Sequence, residues 1–349
     1  MAAPSTRLPR YRTGNKDLDT KIVELLDAVG VERDRDQLFE IIATAVRLAG
    51  DDADRLDLKI TNAALKEMRA AFRTFAPYNH IPKVTMFGSA RTHPHDPLYA
   101  QARSMAKVLA DHGWMVVTGA GPGIMAAGME GAGRDMSFGV TIRLPFENEP
   151  NPVIAGDKKL VSMKYFFTRK LMLIKESRAF VCLPGGFGTL DEAFELLTLV
   201  QTGKSTPAPI VMLDVPNGTY WSHWRTFVVD ELIERELIAA SDVDLFLVTD
   251  DVEAACDEIV GFYSNYDSMR YVGDRLVIRL ARAPGPEAIE MLNRDFADIS
   301  HAEGFEVIAP LNEEIEDDDQ LDKARIAFRF NRNHFARLRA LIDALNRLP

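Results

Sequence analysis

Apolar residues recur at two different spacings along this chain of 349 residues. From 17 to 76 the spacing is helical. Ile22, Leu25, Leu26 and Val29 form one stripe, and Leu38, Ile41, Ile42, Ala45 and Leu48 a second. Leu58, Ala64, Leu65, Met68, Phe72 and Phe75 form a third, and Pro77 and Pro82 close the section. Residues 1–16 carry Pro, Arg and Ser without such a pattern and read as a disordered tail. Residues 17–81 are therefore expected to be a helical extension, packed on the remainder of the chain or on a partner subunit.

From Lys83 onward short apolar runs alternate with helical ones. Strands are expected over 84–87, 114–117, 137–144, 159–162, 179–183, 210–213 and 245–248. Helices are expected over 98–112, 124–133, 163–177, 192–200, 221–236 and 252–263, with a polar loop over 147–157. Such alternation builds a parallel sheet covered by helices on both faces. The fold class is thus α/β, a Rossmann-like doubly wound sheet over 82–263 with a helical N-terminal and a mixed C-terminal extension. In the extension, 264–349, the pattern predicts a strand over 276–280, a helix over 286–296 and a strand over 305–308. The acidic run 313–319 reads as solvated. A basic amphipathic helix over 324–348 reads as docked on the body, with a membrane-surface or calmodulin-target role as the competing possibility.

Composition narrows the classes. With 47% hydrophobic and 27% charged residues the chain is an ordinary globular one. Its formal net charge of −11 argues against nucleic acid or an anionic membrane as a general partner. The two cysteines, Cys182 and Cys256, sit in apolar patterns and supply neither a disulfide framework nor zinc-ligand spacing. No secretory h-region and no run of about 18 apolar residues is present, so a cytoplasmic protein is expected.

In a doubly wound sheet, ligands bind beyond the carboxyl ends of the strands. Three of the expected strands end in small or glycine-rich turns: Gly88-Ser89, Thr118 to Gly123, and Leu183-Pro184-Gly185-Gly186-Phe187-Gly188-Thr189-Leu190-Asp191-Glu192. The last reads as strand, turn, helix start. Its amides and the helix dipole suit an anion, and carboxylates stand at its mouth. It is no P-loop, since no Gly-Lys-Ser/Thr comes after it. Gly121-x-Gly123-x-x-Ala126 matches the loose dinucleotide fingerprint, but no acid stands where the ribose ligand belongs. Arg143 there leaves an NADP reading open. A second notable stretch is Met163-Lys164-Tyr165-Phe166-Phe167-Thr168-Arg169-Lys170-Leu171-Met172, which puts two cations on an otherwise apolar helix leading into the key strand.

Arg169-Lys170 followed by Pro184-Gly185-Gly186-Phe187-Gly188-Thr189-Leu190-Asp191-Glu192 resembles the pattern of the LOG (LONELY GUY) family, also described as possible lysine decarboxylases. Gly88-Ser89 and Thr118 to Met125 match it too, and the resemblance covers roughly 82–262. It implies a phosphoribohydrolase that cleaves the N-glycosidic bond of a nucleoside 5′-monophosphate, giving free base and ribose 5-phosphate. AMP and cytokinin riboside monophosphates are the substrates it implies. It implies no metal, nicotinamide or pyridoxal phosphate as cofactor, and a homodimer or larger homo-oligomer with sites near the subunit interface. Carried onto this chain, Glu192 would stabilise positive charge on the sugar and activate water. The 5′-phosphate would sit on the amides of Gly185, Gly186, Gly188 and Thr189, and Arg169 would contact the substrate. Ser89, Gly121, Gly123 and Met125 would complete the pocket with Lys170, while Asp191 would cap the helix. Shorter members carry His soon after the Met of the Arg-Lys segment, where Lys164 follows Met163 here. With its added ends, the chain resembles a long form.

Overall fold

The computed structural model describes residues 9–143, 150–301 and 304–348. Residues 1–8 of the expected tail, position 144 of the third expected strand and 147–149 of the expected loop lie outside them. The chain divides into two compact units, Met1–Glu67 and Met68–Pro349.

In the first unit, α1 (Lys16–Val29) and α2 (Arg35–Leu48) bury Ile22, Leu26, Phe39 and Ala43 against one another. The Asn15 carboxamide oxygen caps α1 by accepting from the amides of Asp17 and Leu18. Gly30 ends it in a left-handed conformation with φ 74°. Asp54 caps the start of α3 (Arg55–Phe75) in the same way, through the Leu56 and Asp57 amides.

In the second unit seven parallel strands form one sheet: β1 (Lys83–Phe87), β2 (Met115–Thr118), β3 (Ser137–Ile142), β4 (Leu160–Met163), β5 (Ala179–Cys182), β6 (Ile210–Leu213) and β7 (Leu247–Thr249). Their order is β4-β3-β2-β1-β5-β6-β7. The chain builds outward from β1 in one direction, then returns to β1 and builds in the other, so the order reverses between β1 and β5. Strand alternation sends Phe180 and Cys182 into one apolar layer and Ala179 and Val181 into the other. The first layer takes α6 (Phe166–Lys175), α7 (Phe187–Gln201) and α8 (Tyr220–Phe227); the second takes α4 (Pro97–Asp111), α5 (Ile124–Ala132) and α9 (Val252–Gly261). Both faces are buried, which is why β5 and β6 read as continuous apolar runs and β2 as nearly so.

The C-terminal extension is a second, antiparallel sheet. It contains β8 (Tyr266–Val272), β9 (Arg275–Leu280), β10 (Glu306–Val307) and β11 (Ala324–Phe328) in the order β10-β11-β9-β8. Its apolar face packs with α10 (Pro286–Asp295) and α12 (Phe335–Asn346).

Two expectations fail in this extension. The helix expected over 324–348 is a strand followed by a shorter helix, because Ile326, Phe328 and Phe330 all enter the sheet core. The acidic run is not simply solvated. In α11 (Asn312–Glu316) the Glu314 side chain is fully buried and accepts from Arg279 Nη2 at 2.8 Å and Arg325 Nε at 3.2 Å. Asp319 pairs with Arg270 and Arg279. Strand β8, for which the apolar pattern gives no signal, pairs along β9 and completes the sheet.

Candidate active site

The reversal of strand order places the turns after β1 and β5 side by side. The Ser89 amide donates to the Pro184 carbonyl at 3.3 Å, and the Ile124 amide donates to the Ser89 carbonyl at 3.0 Å. Three turns remote in sequence are thereby joined at the carboxyl ends of the central strands. Close approach dictates glycine at two of the joints. A Cβ on Gly185 would lie 2.2 Å from Thr189 Oγ1, and one on Gly123, whose φ is 66°, would lie 2.3 Å from the Ser89 carbonyl oxygen.

The turn after β5 runs straight into α7, with Gly186 at the cap and no side chain closing the helix end. The amides of Phe187, Gly188 and Thr189 have no intrahelical acceptor there, so the positive end of the helix dipole faces outward. The Tyr220 hydroxyl holds the turn from behind by donating to the Gly185 carbonyl at 2.7 Å. Tyr220 is itself placed by Asp214, which accepts from its amide at 3.0 Å.

The charged side chains come from α6 and α7. Arg169 Nε donates to the Val140 carbonyl at 3.0 Å, which fixes the guanidinium across the end of β3. The Glu192 carboxyl is half-buried, and its charge adds to the burial that pushes the thiol of the fully buried Cys182 up. Burial pushes the Glu192 pKa up from 4.5 to about 7, against the pull of Arg169 and Lys170; Asp191 and Glu195 add to the rise. Lys170 turns toward α7 and pairs with Asp191 at 3.0 Å and with Glu195. Asp191 therefore does not cap α7 as expected: the helix starts at Phe187, five residues earlier than that role requires, and the Asp191 carboxylate is used by Lys170.

Beside these groups opens a cleft of about 1040 Å³. Gly121, Gly123, Met125, Arg169 and Gly188 line it. Ser89, Gly185, Gly186, Thr189, Lys170 and Glu192 are not among the described lining residues. Arg143, the group kept open for a 2′-phosphate, donates to Ser162 Oγ at 3.0 Å and is not among the described lining residues.

The cleft also contains residues that no spacing in the sequence connects. Tyr99 on α4 donates to Glu130 on α5 at 2.8 Å, and burial together with that carboxylate pushes the phenol up to about 12. Both side chains line the far wall, with Arg91 and His93. Their partnership follows from the packing of α4 on α5. Among the described residues no group of three or more His, Cys, Asp or Glu is arranged to hold a metal ion, and no described helix is long and apolar enough to cross a membrane.

Residues 122–259 match a family model described as "Possible lysine decarboxylase". A cytokinin riboside 5′-monophosphate phosphoribohydrolase of Mycobacterium tuberculosis is 28% identical over 168 residues, 46% of this chain and 84% of the relative. One from Arabidopsis thaliana, LOG7, is 27% identical over 161 residues, 43% of this chain and 71% of the relative. Among solved structures, a molybdenum cofactor binding protein from Rippkaea orientalis aligns with a TM-score of 0.34 and 20% identity, over 52% of this chain and 95% of its own. The matched segment takes in the glycine-rich turn, Arg169 and Glu192, and over less than half of its length this chain is similar to these phosphoribohydrolases.

Proposed function

We propose that this chain is a nucleoside 5′-monophosphate phosphoribohydrolase, acting on AMP, on cytokinin riboside monophosphates or on both. The observation that carries the reading is one arrangement. A glycine-rich helix start, uncapped and facing outward, stands beside an anchored guanidinium and a carboxyl whose pKa has been raised to about 7. The names of the relatives support it.

In this reading the amides of Gly185, Gly186, Gly188 and Thr189 hold the 5′-phosphate. The departing base takes the bonding electron pair, and positive charge develops on the ribose. The ionised Glu192 stabilises that charge and accepts a proton from the attacking water. Arg169 contacts the substrate from the cleft side, and Lys170 holds α6 against α7. No cofactor enters the scheme. The chain is further proposed to work as a homodimer or larger homo-oligomer.

The competing reading is a nucleotide-binding protein without turnover. Its support is that Glu192 is not among the described residues lining the cleft. One experiment separates the two: incubation with a panel of nucleoside monophosphates, including AMP and isopentenyladenosine monophosphate, with chromatography of free base and ribose 5-phosphate. Release of both products at equal yield is expected. Saturable binding of a nucleotide with no base released would establish the binding protein instead.

A further inference from the structure

Gly119 directly follows β2 and is not among the glycines with left-handed φ. The backbone there accepts any L residue, so the reason for glycine lies in the space around it. A Cβ at this position would fall 2.0 Å from Arg169 Nη2, 3.3 Å from Arg169 Cζ and 2.7 Å from Met125 Sδ. These are the far portions of flexible side chains; no backbone atom is as close. On its other side the same guanidinium is tied through Nε to the carbonyl of Val140 on the adjacent strand β3.

We propose that Gly119 is a positioning residue for Arg169: the missing side chain is the slot through which the guanidinium reaches the cleft. The role rests on the hydrolase reading only for its consequence in catalysis; the placement of Arg169 stands apart from it. Alanine at 119 leaves the chain path free to form and forces the guanidinium, with the Met125 thioether, to another position. Both Gly119 and Arg169 line the cleft, so the displacement alters the surface the substrate meets.

The test is a cycle of Gly119→Ala, Arg169→Ala and the double variant in the full chain, read in two ways. The first needs no turnover. Carboxyl carbons of labelled glutamate are titrated by NMR, with the Glu192 signal identified by its loss in Glu192→Gln. Arg169 and Lys170 hold the Glu192 pKa down, while Asp191 and Glu195 raise it. Gly119→Ala should move the midpoint above about 7 when Arg169 is present, and should add nothing in the Arg169→Ala background. An unmoved midpoint, or an equal shift in both backgrounds, overturns the positioning role.

The second reading is base release. Gly119→Ala should lower kcat/KM at least about tenfold with the melting temperature held within about 2 °C. Wild-type kinetics in that variant also overturn the proposal. If no variant and no wild-type chain releases base, the hydrolase reading falls, and the titration alone decides the place of Gly119.

Discussion

At the scale of single residues the chemistry turns on Glu192. Partial burial disfavours its charged form, and the neutral form is favoured up to about pH 7. If the ionised form is the working one, base release should fall as pH drops below about 7, tenfold per pH unit at the acid limit. A pH profile of kcat/KM checks this, and an acid limb centred near 4.5 would show a carboxyl titrating at its ordinary value, without the rise that burial gives Glu192. The same shift has a consequence for stability. The folded pKa lies above the ordinary value, so the folded state binds the proton more tightly. That stabilisation is present below pH 4.5 and is lost as pH rises through about 7. Glu192→Gln should therefore abolish release and yet stabilise the fold at pH 8 by about 1–3 kcal/mol, an advantage that vanishes near pH 4. Denaturant melts at the two pH values measure it. A variant less stable than wild type at pH 8 would show that the carboxylate is held by its neighbours rather than strained by burial.

Elements differ in how far their own sequence decides them. The central strands β2, β5 and β6 were legible because burial on both faces leaves nearly uninterrupted apolar runs, and the turn after β5 because glycine and the next helix pattern meet there. The segment that became β11 was not. Ile326, Phe328 and Phe330 are two residues apart, yet Ile326 and Phe330 also stand four apart, so a helical and an extended reading share the same apolar residues. The deciding fact is tertiary: β9 offers an edge that pairs with all five residues from Ala324 to Phe328. Likewise nothing local in 313–319 singles out Glu314. Its burial depends on Arg279 and Arg325, which two neighbouring strands bring to it. Burial alone would raise its pKa, but the hydrogen bonds from Arg279 and the Leu311 amide, with Arg325, hold it below the ordinary range. Stability from this carboxylate is thus present above pH 4.5 and lost as pH falls through its lowered folded value. Glu314→Gln leaves two guanidinium groups without their shared anion and should cost about 3–5 kcal/mol. Equilibrium urea unfolding of the full chain gives the figure, and a cost under about 1 kcal/mol would mean that Asp319 and solvent take over.

On the scale of the whole molecule, the sheet gathers the site's backbone and leaves apolar surface beside it. Phe166 and Phe167 on α6 are 56% and 54% exposed, and Phe187, at the first position of α7, is 94% exposed. Leu171 adds to the same surface of α6 at 45%. Scattered single apolar side chains need no explanation, whereas four on two helices beside a cleft support the proposed homo-oligomer. At about 25 cal/mol per Å² removed from water, covering aromatic side chains of this size on two copies is worth several kcal/mol before the costs of association. The proposed homo-oligomer would bury them around the mouth of the cleft, where Phe166 and Gly188 already form part of the wall. Light scattering on the eluting protein should therefore give at least twice the monomer mass at micromolar concentration. Phe187→Asp combined with Phe167→Asp should halve it without changing the far-ultraviolet dichroism, since neither side chain is buried within the chain. If base release falls with the mass, the partner copy completes the site. If mass falls and release persists, each copy carries its own site and the aromatic surface serves assembly alone. A wild-type mass equal to one chain would leave the exposed phenylalanines to the substrate instead, with Phe166 as the one that already lines the cleft.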